Sequence, residues 1–474
     1  MAQTKVTCDQ AVFTSIRSPM GEGYRIVAAG RGLKPEEKQA IIRCSPSHEA
    51  LCASQEGEAS EDDAAGVAFY ALPSGRLCIA FTCFAGAEHT GRGGKRVFTH
   101  NVIFAEADFT KCGYNPFAVL RAMKSAGLTR PQLSPDLVLP QMELAVDANF
   151  VPPLDRRLRS ILSTFRRRFV LRCLMERKAV AVELPEGWTE WTEALVLGIP
   201  GPLRSMISFG AGLRFSMGRG HLLQVFHDEN RSVARRAPAQ GICFVDSETS
   251  GDAPNSAWFS FVDRHWLQGD MQGMMRRASR PFVDCSLEAC EQIGRLYNSA
   301  DAMPQTQSDQ ILSQAARALA EPGEGVEREI RFELCDAAKK IMLDRLSRAH
   351  WEDIRTLWST LLNLWRNGGE ATTFAQPLIV CSLRVAMADD PLAAAEAALN
   401  LTCDVPTTVD RKSNEVFLDE VLIRLGAAAP LTPGASLARL GDVVRRWQIE
   451  RPTCPVVAAL AERCAALRPS EARL

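Results

Sequence analysis

Residues 97–104 read VFTHNVIF. Val97, Thr99, Asn101 and Ile103 fall at a two-residue period, which puts them on one face of an extended chain. With β-branched and aromatic residues on both sides, the stretch predicts a strand over Arg96–Ala105. The glycines just before it, Gly91, Gly93 and Gly94, supply a flexible hairpin tip, and Arg76–Phe84 reads as a further strand. Val67–Leu72 adds another strand upstream.

The same pattern extends to the N-terminal side. Val6–Ser15 and Tyr24–Ala29 read as strands joined by the turn Met20-Gly-Glu-Gly23. Pro35 opens a short helix at the position where its missing N–H costs nothing. Residues 53–66, ASQEGEASEDDAAG, predict an acidic surface loop. Asn115-Pro116 starts a helix that Gly127 ends, and the Pro- and Leu-rich residues 128–153 read as a connection.

Further along, Leu154, Leu158, Ile161, Leu162, Phe165 and Phe169 recur at helical spacing, surrounded by arginines. Strands are expected at Ala179–Leu184, within Met206–Phe215, at His221–His227 and at Gly241–Asp246, with a helix over Trp188–Leu197. From Asp284 onward the strand signals stop. Trp351, Ile354, Trp358, Leu361 and Trp365 then form a helical stripe, read as core packing between helices. The expected fold class is α+β: two mixed α/β modules with mainly antiparallel strands, residues 1–150 and 151–280, followed by an all-helical C-terminal domain, 281–474.

Composition narrows the function classes. The chain has 474 residues, 46% hydrophobic and 23% charged, with a formal net charge of −1. That is globular composition without a global field toward nucleic acid or membrane. Charge is nevertheless segregated: residues 151–280 are net +6 and residues 281–474 net −6. The 15 cysteines form no CxxC pair, and the first residues show no charged-then-apolar leader. Reduced thiols in the cytoplasm are the expectation. No apolar run approaches the roughly 20 residues that cross a bilayer.

No constellation for chemistry is complete. GAEHTGRGGKRVFTH (86–100) invites comparison with a phosphate-binding loop. Lys95, however, is followed by Arg96, not by the hydroxyl residue that binds magnesium. Cys83 with His89 or His100 offers a thiol and an imidazole, the elements of a hydrolase-type site, but spacing alone does not bring them together. The seven histidines are isolated, so no metal or other cofactor is expected. Arg156, Arg157, Arg159, Arg166, Arg167 and Arg168 give a basic helix face that could attract phosphate charge. Aromatic stacking residues are sparse there, so a solvated helix face or a dock for an acidic protein is the preferred reading and nucleic acid the alternative.

Several ordered blocks together resemble a known family. DQAVFTSIRSPMGEGYRIVAAGRGL, LPSGRLCIAFTCFAGAEHTGRGGKRVFTHNVIF and NPFAVLRAM resemble the type-two N-terminal domain of bacterial GTPase-associated proteins. The residues that carry it are Gly23-Tyr24, Gly91 to Gly94 and Phe98-Thr99-His100. ISFGAGLRFSMGRGHLLQVF resembles the middle domain of the same proteins, through Ser208-Phe209, Gly212-Leu213 and Ser216. The resemblance implies a companion encoded with a GTPase in a bacterial multi-component system, often thought to act in conflict or defence; with no complete catalytic constellation, a non-enzymatic adaptor or regulator that binds a partner GTPase is the expectation. It transfers no catalytic residues. On that reading Arg92, Lys95, Arg96 and His100 are the candidate partner-binding residues. An arginine at the hairpin tip is of the type that stabilises charge on a transferring phosphoryl group.

Overall fold

The structure is a computed structural model. It describes residues 4–18, 21–52, 64–88, 94–131, 137–227, 232–282, 284–321, 323–390, 434–450 and 455–466, with a few isolated positions between them. It separates into two compact units, Met1–Arg295 and Leu296–Leu474.

The first unit is built on a sheet of eleven strands. In chain order these are β1 (Thr4–Ser18), β2 (Gly21–Gly30), β3 (Ala65–Ala71), β4 (Leu77–Ala87), β5 (Lys95–Phe104), β6 (Val138–Leu139), β7 (Met142–Val146), β8 (Val180–Glu183), β9 (Phe209–Ala211), β10 (Leu223–Phe226) and β11 (Cys243–Val245). The spatial order is β11-β8-β10-β9-β3-β4-β5-β1-β2-β6, with β7 also paired to β1. The strand read from VFTHNVIF is β5, and it pairs antiparallel with β4 and β1. Its residues Val97–Phe104 are all buried, so the sheet is covered on both faces here.

Two expectations change. Residues 128–153 are not only a connection: they supply β6 and β7, which pair with β2 and β1. The strands of residues 180–245 run parallel to one another, not antiparallel. Helices α6 (Trp188–Leu197) and α7 (Gly201–Arg204) lie in the chain between β8 and its partner β10, and a connection of that length allows parallel neighbours. The expected modules 1–150 and 151–280 contribute strands to one sheet, because β9 pairs antiparallel with β3 at Val67↔Ala211 and Phe69↔Phe209.

Aromatic packing reinforces that junction. Phe69 stacks on Phe209 and on Phe109, and Phe209 stacks on Phe117 at 5.1 Å. Phe109 belongs to helix α2 (Glu106–Lys111) and Phe117 to α3 (Pro116–Ser125). All four rings are essentially inaccessible, each worth about 1.5–3 kcal/mol of burial. On the opposite face Ala40, Ile41 and Cys44 of α1 (Pro35–Cys44) pack against Ala68, Tyr70 and Ala80.

The arginine-rich segment forms two helices, α4 (Arg156–Ser160) and α5 (Thr164–Met175). Ser163 caps α5 by accepting from the Arg166 N–H, which ends the single helix expected from spacing. Helices α8 (Ser232–Arg236), α9 (Ala257–Gln268) and α10 (Met271–Ala278) complete this unit. Helix α11 (Leu287–Ala302) carries Gly294, where a Cβ would lie 2.3 Å from the Trp258 nitrogen. The two helices can meet only at a glycine.

The second unit is helical over its described residues: α12 (Ser308–Ala320), α13 (Gly325–Leu346), α14 (Trp351–Arg366), α15 (Gly369–Asp389), and two helices at Gly434–Glu450 and Pro455–Ala466. The stripe Trp351, Ile354, Trp358, Leu361 and Trp365 is buried in its core. By length and composition α15 could cross a membrane, a possibility that counting unbroken apolar runs overlooks. Half of its most apolar window is buried, with Phe374, Leu378, Ile379 and Leu383 in the helical core, so packing accounts for its character.

Candidate partner-binding site

The β4–β5 hairpin places the first group of candidate residues. Arg92 and His89 lie outside the described residues, as does most of the acidic stretch 53–66. Lys95 sits over the Phe84 ring at 5.3 Å. Arg96 donates from Nε and Nη2 to the Ala85 carbonyl at 3.0 and 2.6 Å and from Nη1 to Ser15. It straps the neighbouring strand. Beside it Glu88 accepts from Ser15 and Tyr24 hydroxyls at 2.9 and 2.8 Å.

His100 is interior. Its Nε2 meets Gln10 Oε1 at 3.1 Å, and burial lowers its pKa to about 4. Cys83 pairs across the ladder with Phe98, two residues from His100 on the same face. A diagonal of that kind spans about 7–8 Å. The thiol donates to the Thr129 carbonyl at 3.8 Å, and burial pushes its pKa up to about 11. A nucleophile requires a stabilised thiolate within proton-transfer reach of the imidazole, and this pair offers neither.

The basic helix face largely turns inward. Arg167 is 3% exposed and bonds Asp263 Oδ1 at 3.0 Å while stacking on Trp266. Arg168 bonds the other oxygen of Asp263 at 2.6 Å. Arg166 donates to the carbonyls of Thr249 and Ser247, Arg159 to that of Leu267, and Arg157 pairs with Glu186. Of the six, Arg156 is exposed without such a contact. Cations committed to internal acceptors have little left for nucleic-acid phosphates.

A more open feature lies at the β2–β6 end of the sheet. A groove of about 1000 Å³ is lined by Asp9, Arg31, Gly32 and residues 137–141. Leu137 is 76% and Val138 46% exposed, although β6 is tied to β2 through Ala29 N–H to Leu137 O at 3.0 Å. The side chains face solvent from a backbone held in register.

Beneath the groove is an ion cluster. Arg76 bonds Asp9 at 2.5 Å through Nη1 and Glu37 through Nε and Nη2 at 2.9 and 2.6 Å. Glu37, fully buried at the start of α1, also accepts from Ser74 Oγ and the Lys34 N–H. Burial pushes its carboxyl up, but these hydrogen bonds outweigh it and leave a pKa of about 2. The cluster pins α1, β1 and the turn before β4 together below a half-apolar rim. Sequence reasoning missed it. The signal in the sequence was slight: Glu37 two residues after the helix-opening Pro35, and the Leu-Val-Leu run bounded by Pro135 and Pro140.

Residues 7–144, which include the groove lining, match the family described as GTPase-associated protein 1, N-terminal domain type 2. The match does not extend to the block at 207–226. No curated protein and no solved structure matches the chain.

Proposed function

We propose that this chain is a non-enzymatic adaptor or regulatory component that binds a partner GTPase through the groove at the β2–β6 end of its sheet. The observation that carries the reading is the exposed Leu137–Val138 pair, held on a fixed backbone inside the segment whose family is described by association with GTPases. Solvated aliphatics beside a concave surface favour burial against a protein. Arg31 at the rim would pair with an acidic residue of that partner. The setting we assign is a bacterial cytoplasmic multi-component system, of the conflict or defence type.

Affinity purification of the full chain tests this, with the captured partner assayed for GTP hydrolysis. Recovery of a GTP-hydrolysing protein that Leu137→Asp/Val138→Asp fails to capture supports the reading. Equal capture by both proteins removes the groove from it. Arg92, at the hairpin tip, has a separate test: with docking as the role, Arg92→Ala leaves the partner's GTP turnover unchanged, and a lost stimulation would make that arginine a participant in phosphoryl transfer.

A further inference from the structure

A second concave feature of the first unit lies outside both the hairpin and the groove. It is a cleft of about 620 Å³ between the end of α2 and helix α10. That volume is in the range of small-molecule sites. Thr110, Lys111 and Gly113 come from one side, and Gln272, Arg276 and Ser279 from the other. Two cationic side chains, Lys111 and Arg276, therefore face it from different elements.

Its floor is unusual electrostatically. Ser279 Oγ donates to the Gly113 carbonyl at 2.9 Å and accepts from Arg204 Nη1 at 2.9 Å. Arg204 is fully buried. Its other acceptors are the carbonyls of Ile199, Leu197, Gly113 and Tyr114. Among the described residues no carboxylate pairs with it. A buried positive charge answered only by dipoles keeps its field, which reaches the cleft floor through Ser279.

The rim adds two cations. Lys111 is paired with Asp108 at 2.6 Å, and Arg276 is exposed. Asp270, the one carboxylate among the described residues lining the cleft, caps α10 at the Gly273 N–H and meets His265 Nδ1 at 3.0 Å. Arg204, Lys111 and Arg276 thus outnumber the acidic groups Asp108 and Asp270.

We propose that this cleft binds a small free anion of the phosphate class, held between Lys111 and Arg276 with the buried Arg204 charge behind them. A tetrahedral oxyanion accepts hydrogen bonds from several directions, which suits an ammonium and a guanidinium on two opposing walls. The inference is independent of the partner groove.

The test is calorimetric titration of the full chain with inorganic pyrophosphate at constant ionic strength. The proteins are wild type, Lys111→Gln/Arg276→Gln and, as a charge control, Lys339→Gln/Arg355→Gln on the helical unit. Lys111 and Arg276 are exposed, so the first variant should melt as wild type does. Saturable 1:1 binding by wild type and control, weakened at least about tenfold in the cleft variant, is expected. Absence of saturable binding by wild type, equal affinity in the cleft variant, or an equal loss in the control would each overturn the proposal.

Discussion

Replacing Arg204 with methionine should destabilise the first unit by about 3 kcal/mol. The side chain joins three stretches of chain: the turn at Leu197–Ile199, the residues after α2, and Ser279 after α10. Burial lowers its pKa to about 9, so it remains charged at neutral pH. Methionine fills part of the volume but donates nothing. Gly113 keeps the Ser279 hydroxyl, whereas the Leu197 and Ile199 carbonyls lose short bonds of 2.9 and 2.8 Å. Each orphaned buried carbonyl costs about 1–3 kcal/mol. Relief from no longer desolvating a guanidinium offsets part of that sum. For a unit of this size the loss corresponds to a Tm lowered by about 5–10 °C. Arg204→Lys keeps the charge but not the planar fork, and should fall between the two. Circular dichroism on the full chain gives the shift, and hydrogen exchange read by mass spectrometry assigns it to peptides of residues 1–295. A methionine variant within about 0.5 kcal/mol of wild type would refute the reasoning, because the carbonyls would then have needed no cation.

Acid unfolding offers a second check. The Glu37 carboxyl is held at about 2, below its ordinary 4.5, so its contribution is present above pH 4.5 and is lost as pH falls toward 2. Arg76→Gln removes the main opposing bonds, leaves burial to raise the carboxyl pKa, and should move the acid-unfolding midpoint to higher pH; an unchanged midpoint would count against the cluster. In the native state Cys83 should react with iodoacetamide at pH 7 far more slowly than in urea, since burial holds its pKa near 11. Rapid native alkylation would reopen the thiol-enzyme reading. His100 should stay neutral in an NMR titration down to about pH 4, and a midpoint near 6.5 would contradict its burial.

Much of this fold is visible in local sequence because its signals are local. Alternation at 97–104 gives β5, Pro35 and Asn115-Pro116 open α1 and α3, and the tryptophan stripe marks the face of α14 that is buried. Long-range partners left no such trace. The β3–β9 pairing joins residues 140 to 144 positions apart, so spacing could not show one sheet running through both expected modules. The arginines of α4 and α5 resembled a solvated face because Asp263, which takes Arg167 and Arg168, lies about 95 residues away. The ion cluster is similar: Arg76 reaches Glu37 across 39 residues and Asp9 across 67. Charged residues look alike in sequence whether water or a distant counter-ion satisfies them, which is why both sites were hidden.

The most direct test of the central claim is the affinity of the captured GTPase for wild type and for Leu137→Asp/Val138→Asp. Burying these two aliphatic side chains supplies about 1–2 kcal/mol each, so placing carboxylates there should weaken binding at least about thirtyfold. Melting should change little, since Leu137 is mostly exposed and Val138 half-exposed before any partner binds. That result would place the partner on the β2–β6 groove. Equal affinity of the two proteins, with both folded, would contradict it.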